Sequence, residues 1–483
     1  MARFNPWKMG LKVINLSIRT YLYLIVRIGN GIITVVTLAM LTRMMSPEEY
    51  GVFALCISVV TLVSAILFQP LSSVVSRFYL KNLDDPSNVM GVAAVWFWVS
   101  TIIAAFLFLT LTPFYYVLGI KPYVPSILFL ITVALGSLTL ALQVANTKAS
   151  LVRYGLLSWS KGIVTLFICF IFISYGTPES GALLAFLAGL LFTVICFAPK
   201  AWFSLRHGIF NRCLSAQMLR YGMPLILNVV ALLIVDFADR FLIYNLLGTA
   251  FVAAYSVAYD FVQQAVGSIM NALFLTAFPL IVKVFESKKD KLVRIRLYLL
   301  GYKLIGIGLP VAVGVGVLSK DIAAIVFDEP YRLDAALIMP WLAAAIFIGT
   351  FKSYFLDVVF HLNKSTKFIG YIAALMAIVN IMLNLILLPQ YGVIASSWVI
   401  LVTFSVGALT SWIFGSFIFS LPSMMKISLK SISSSFVMGV VLEQMPNSNE
   451  IYWLLIKISV GIITYLLMVW ALEKVNIRKL FIA

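Results

Sequence analysis

Apolar runs of about twenty residues, separated by short polar gaps, repeat along almost the whole chain. A hydrocarbon core about 30 Å thick is crossed by about 20 helical residues rising 1.5 Å each. Fourteen runs reach that length: 19–42, 50–76, 89–117, 123–146, 155–175, 180–203, 221–247, 251–282, 298–318, 335–360, 368–388, 393–420, 427–443 and 452–472. The run 427–443 is broken by Ser431, Ser433, Ser434 and Ser435, so twelve spans with an odd tail compete with fourteen. The longest gaps, 204–220 and 319–334, hold 17 and 16 residues and are too short to fold as domains. Function must then reside in the helix bundle.

Composition supports this pattern. Of 483 residues, 62% are apolar and 11% charged, whereas soluble domains run at about 45–50% and about 25%. Soluble, disordered and disulfide-scaffold classes are excluded, and the fold class expected is all-α and polytopic. Cys56, Cys169 and Cys196 lie inside apolar runs, and Cys213 stands alone. They read as free thiols. Arg3, Lys8 and Lys12 precede a first run too long for a signal h-region, so no cleaved leader is expected.

The net charge of +17 suggests a nucleic-acid partner at first sight. The bases, however, lie in the gaps between runs, and their placement orients a membrane protein instead. With both termini in the cytoplasm, inner segments hold 25 bases and five acids, and outer segments hold four bases and nine acids. That bias predicts an even span number and inner termini. Spans 1 and 7 both run outward, which suggests a parallel repeat. The division expected is a first six-helix lobe over 1–203, a linker over 204–220, a second lobe over 221–420, and two extra helices with a tail over 421–483.

Some residues have local structural reasons. In SPEEYG, Ser46 can cap the second helix, Pro47 suits its first turn and Glu49 completes a capping box. In LPQYG, Pro389 and Gly392 are read as ending one helix at a tight outer turn. Gly306, Gly308, Gly314 and Gly316 around Pro310 point to close helix contacts in span 9.

Ten ionisable residues fall inside the runs: Arg27, Lys161, Asp236, Asp239, Arg240, Asp260, Lys303, Lys352, Asp357 and Lys457. Each would cost about 2.5–3.5 kcal/mol at the bilayer centre if it faced lipid. Lys303 and Lys457, and less readily Lys161, are placed to snorkel. Arg27 has no acid in its own span and starts a row with Asn30, Thr34 and Thr37, so a polar surrounding is expected. Asp236 precedes Arg240 by four residues and can pair with it. That cluster reads equally as a structural clamp or as transport groups. Asp260, Gln264 and Asn271 form one stripe in span 8, and Asp357 can reach His361 in span 10.

Three stretches resemble a known family: RIGNGIITVVTLAMLTRMMSPEEYGVFAL (27–55) with QPLSSVVSRFYL (69–80), YGMPLILNVVALLIVDFADRFLIYNLLGTAFVAAYSVAYDF (221–261), and AIVNIMLNLILLPQYGVIASSW (377–398). Their order and spacing over about twelve spans are similar to the polysaccharide-transporter branch of the multidrug/oligosaccharidyl-lipid/polysaccharide exporter superfamily. The resemblance implies a V-shaped pair of lobes in the bacterial plasma (inner) membrane, flipping undecaprenyl-diphosphate-linked oligosaccharide outward by alternating access. It also implies a polysaccharide polymerase and a chain-length regulator as partners. Under it, Arg27, assisted by Lys352 or Arg240, would hold the diphosphate in a central chamber, and Asn30, Gln264 and Asn271 would line that chamber. Asp236, Asp239, Asp260 or Asp357 would carry a coupling ion, H⁺ or Na⁺, with no other cofactor. A cation-coupled drug exporter or lipid II flippase of the same superfamily is the first alternative. A membrane glycan polymerase is the second, disfavoured because only His207 and His361 are available and no long outer loop exists.

Overall fold

The computed structural model describes residues 26–27, 29–81, 87–117, 121–147, 150–175, 178–198, 210–287, 290–363, 365–446 and 450–473. Among them every regular element is helical. In chain order these are α1 (Gly29–Met44), α2 (Pro47–Lys81), α3 (Ser87–Val117), α4 (Val124–Thr147), α5 (Leu151–Tyr175), α6 (Pro178–Phe197) and α7 (Arg212–Leu247). Next come α8 (Thr249–Glu286), α9 (Asp290–Val317), α10 (Ser319–Val326), α11 (Glu329–Leu362), α12 (Lys367–Tyr391), α13 (Ile394–Ile418), α14 (Met425–Glu443) and α15 (Ile451–Glu473). Among the described residues, eleven helices are long and apolar enough to cross a membrane. The other three apolar runs correspond to α1, α7 and α14, and the serine-broken run is an ordinary helix. The N-terminal bases through Arg19, with Lys148, Lys200, Arg206, His207 and the C-terminal tail, lie outside the described residues.

Local signals explain several boundaries. At the start of α2 the Ser46 amide donates to Glu49 Oε2 at 2.9 Å and the Glu49 amide donates to Ser46 Oγ at 3.3 Å, a reciprocal capping box. Gly392, at φ 67°, ends α12, and its amide donates to the Leu388 carbonyl. Pro389 does not end that helix as expected: it lies inside the last turn. Of the four glycines around Pro310, Gly308 and Gly316 are contact points, the latter against Pro340, whereas Gly306 has open space beyond it and Gly314 meets only Met438, at 4.0 Å. Gly301, more than a turn earlier, is a further contact point. A Cβ at Gly301 would meet Phe355 and Met424, and one at Gly308 would meet Met270 and Phe347.

The gap 319–334 is largely helical. Ser319–Val326 forms α10, and α11 begins at Glu329. The reason is burial, since Ile322, Ala323, Phe327 and Tyr331 all sit in the core. Asp321 is buried with them, and its Oδ2 accepts a 2.7 Å bond from the Lys457 ammonium. Lys457 is itself 1% exposed, so it does not snorkel but ties α15 to α10.

Two compact units emerge. Unit 1 comprises Met1–Thr34 and Cys56–Val229; unit 2 comprises Val35–Leu55 and Val230–Ala483. The boundaries therefore differ from the span-based division: they cut α1, α2 and α7, and the last two helices join unit 2. Side-chain anchoring accounts for this. In unit 2 the Tyr331 hydroxyl donates to the Met45 carbonyl at 2.8 Å, and Arg43 Nη2 donates to the Ile325 carbonyl at 2.8 Å. Gly51 lies so close to the Thr249 carbonyl that no side chain fits between them. In unit 1 a core of Phe68, Val75, Met90, Ala93, Phe97 and Val144 takes in Met218 from the start of α7. Trp96 there donates to Ser215 Oγ at 3.0 Å.

Candidate functional site

In unit 1 the chain just before α1 runs against α5. Trp159 Nε1 donates to the Val26 carbonyl at 2.9 Å, and the indole covers Gly29 where a Cβ would collide with it. This contact sets Arg27 beside Tyr154, whose hydroxyl accepts a long 3.4 Å bond from Arg27 Nη2. Arg27 Nε is buried and has no partner among the described residues. A half-buried guanidinium with one weak neutral partner is under-satisfied, since burying such a charge is costly without an anion. Asn30 is half-buried one turn on, and its carbonyl accepts the Thr34 hydroxyl at 2.9 Å. Lys161 does not snorkel either: its ammonium lies 4.5 Å from the centre of the Phe186 ring. Over its whole sequence unit 1 holds fifteen bases against three acids, and Asp84, Asp85 and Glu179 all lie outside the apolar runs.

Unit 2 treats its charges differently. Asp236 and Arg240 do not form the expected pair. Arg240 Nη2 instead donates to Asp260 Oδ1 at 2.6 Å, with the rings of Phe237 and Tyr259 flanking the guanidinium. Asp236 is half-buried and makes no hydrogen bond or ion pair among the described residues. Asp239 is 1% exposed and accepts from three side chains: Tyr255 Oη at 2.6 Å, Asn380 Nδ2 at 2.9 Å and Asn384 Nδ2 at 2.7 Å. Ser396 Oγ in turn donates to Asn384 Oδ1 at 2.8 Å. These asparagines lie in the stretch 377–398, where the sequence pattern points to a family resemblance and a turn but not to a site. Two asparagines four apart in an apolar run were the available signal.

Two π-helical turns redraw the stripes expected in spans 8 and 10, Gln263–Gly267 in α8 and Lys352–Leu356 in α11. Five residues on an α-helix are about 140° apart, but an i→i+5 turn brings them together. The Asp357 amide donates to the Lys352 carbonyl, and Lys352 Nζ reaches Asp357 Oδ2 at 2.8 Å. Ser411 Oγ donates to Asp357 Oδ1 at 2.8 Å. Asp357 therefore pairs with Lys352 and not with His361, whose ring meets the Phe278 ring edge-on. In α8 the extra residue rotates the remainder of the helix by about 100°, so Asn271 leaves the row of Asp260 and Gln264. Asn271 Nδ2 donates to the Tyr354 hydroxyl at 2.7 Å, and its Oδ1 is buried without a partner among the described residues. Gln264 is half-buried within the π turn.

Comparison with known proteins matches the sequence to a family. A model of the polysaccharide biosynthesis protein family covers residues 19–285. No curated protein matches the sequence. Among solved structures, the chain resembles the lipid II flippase MurJ in an inward closed conformation, at 17% identity and a TM-score of 0.75, with 95% of this chain and 99% of that one covered. It also resembles an inward-facing multidrug resistance MATE family transporter of the MOP superfamily, at 14% identity and a TM-score of 0.64, covering 84% and 98%. A third is a MOP superfamily transporter from Pyrococcus furiosus described as having a binding pocket of reversed polarity, at 13% identity and a TM-score of 0.61, covering 86% and 95%. At such identities the shared property is the fold. The family model spans more than half of the residues, and the chain belongs to the polysaccharide biosynthesis protein family.

Proposed function

We propose that the protein carries an undecaprenyl-diphosphate-linked oligosaccharide from the cytoplasmic to the outer leaflet of the bacterial inner membrane by cation-coupled alternating access, for surface or exopolysaccharide synthesis of the O-antigen kind. It acts as a transporter and not as an enzyme, its termini face the cytoplasm, and a polymerase and chain-length regulator take over its product. The observation that carries this reading is Arg27, an under-satisfied guanidinium in a unit with no acid in its apolar runs. A diphosphate offers the oxygens such a planar fork lacks. Lys352 is withdrawn from this role by its buried pair with Asp357. The coupling ion, H⁺ or Na⁺, is assigned to Asp236 and Asp239, the two carboxylates of α7 that no base among the described residues holds in an ion pair.

A strain lacking the protein should accumulate lipid-linked repeat units on the cytoplasmic side and lose surface polymer. The wild-type chain should restore export and Arg27→Ala should not. Undiminished export in the deletion strain contradicts the reading. The MurJ likeness favours one second reading, lipid II as cargo, which is the same diphosphate chemistry with a different sugar. Rescue of a strain depleted of its lipid II flippase would decide for it.

A further inference from the structure

Two bases expected to assist with the substrate diphosphate, Lys352 and Arg240, each meet an aspartate in unit 2, and the two pairs differ in one respect. In Lys352–Asp357 both side chains are buried, at 2% and 4% exposure, and Ser411 holds the second carboxylate oxygen. In Arg240–Asp260 the guanidinium is 5% exposed but the carboxylate is 42% exposed. Asp260 lies eleven residues into α8, roughly 16 Å along the helix. A carboxylate that open at such depth faces water, because facing acyl chains would cost several kcal/mol. Asp260 makes its single ion pair through Oδ1 and has no second side-chain donor among the described residues, so it can leave without breaking any other contact.

We infer that Asp260 is a built-in competitor of the substrate: it occupies Arg240 when no substrate anion is present and is displaced by a phosphate oxygen of the lipid diphosphate. This rests on the lipid-diphosphate reading above. Arg240 cannot follow Asp260 outward. It is flanked by Phe237 and Tyr259, with Asp236 one turn back, and its neighbour Asp239 is occupied by Tyr255, Asn380 and Asn384. A guanidinium held in place, with its counter-ion on the wet side, is an exchange site for an anion. In the free protein Asp260 serves as counter-ion to the buried guanidinium, and the affinity for the substrate anion is lowered by the competition.

The test uses the full chain purified in mild detergent, with farnesyl diphosphate as probe and farnesol as uncharged control. Asp260→Asn should bind farnesyl diphosphate at least tenfold more tightly than wild type, with no change for farnesol. Adding Arg240→Gln to Asp260→Asn should abolish the gain. Equal or weaker binding by Asp260→Asn overturns the inference, as does a double variant that binds as tightly as the single one. If Asp260→Asn is poorly recovered because Arg240 is left without its anion, farnesyl diphosphate added to membranes before extraction should restore recovery of that variant and not of the double one. Failure to restore it also overturns the inference. A wild-type chain that ignores farnesyl diphosphate and fails to rescue the deletion strain removes the flippase reading as well. A wild-type chain that binds and rescues, beside an unaltered Asp260→Asn, removes the exchange alone.

Discussion

Replacing Lys352 by Met tests whether the pair at the second π turn is structural. The ammonium and Asp357 Oδ2 are 2.8 Å apart. At an effective dielectric constant of about 20, unit charges at that distance attract by roughly 6 kcal/mol. Desolvating the two ions costs several kcal/mol each, so the pair as a whole is worth little beyond an apolar filling. Removing one partner is another matter. Lys352→Met leaves Asp357 at 3% exposure with Ser411 as its one side-chain donor among the described residues, and breaking a buried pair this way costs about 3–5 kcal/mol. Lys352→Met combined with Asp357→Leu removes both charges and should return to within about 2 kcal/mol of wild type. Equilibrium unfolding in mixed micelles of mild detergent and dodecyl sulfate measures both. A single variant within about 1 kcal/mol of wild type, or a double variant less stable than the single one, would refute the reasoning.

The other predictions use different contacts. Lys457→Met should destabilise the protein by about 3–5 kcal/mol in the same assay, because Asp321 is then buried without its cation. If Lys457 snorkelled, the change would be negligible. Gly51→Ala should cost about 1–3 kcal/mol by forcing α2 from the Thr249 carbonyl, whereas Gly306→Ala, with open space beyond it, should be neutral or slightly stabilising. Equal effects at the two positions would contradict the packing described. Asp239→Asn should remove the response of transport to an H⁺ or Na⁺ gradient while farnesyl diphosphate binding persists; retained gradient dependence argues against that carboxylate as the ion carrier.

The fold was legible because its signals are local. Run length located the helices, and the capping box at Ser46–Glu49 and the φ of Gly392 match what those residues require. Charge pairing is less legible, for two reasons: sequence spacing assumes an unbroken α-helix, and it assumes partners on the same element. The π turn brought Lys352 to Asp357, five residues away, where the α period pointed Asp357 to His361. Arg240 chose Asp260, twenty residues on, over Asp236 at i−4. Asp321 falls in a gap between runs and Lys457 near a helix end, and nothing in a 136-residue separation announces their pair. Arg27 stands out in the sequence by the lack of any acid in its span, but its one hydrogen-bond partner among the described residues, Tyr154, lies 127 residues away and no spacing points to it.

In the proposed cycle Arg27 engages the diphosphate of a lipid-linked sugar during its passage across the bilayer. The most direct test of this contact reconstitutes the purified chain in liposomes carrying a fluorescent undecaprenyl-diphosphate-linked oligosaccharide and tracks quenching of the outer-leaflet pool over time. Wild type should equilibrate the two leaflets, Arg27→Lys should do so more slowly, and Arg27→Ala should lose at least tenfold in rate at equal protein density. Arg27→Ala liposomes that flip the lipid as fast as wild type would contradict the account.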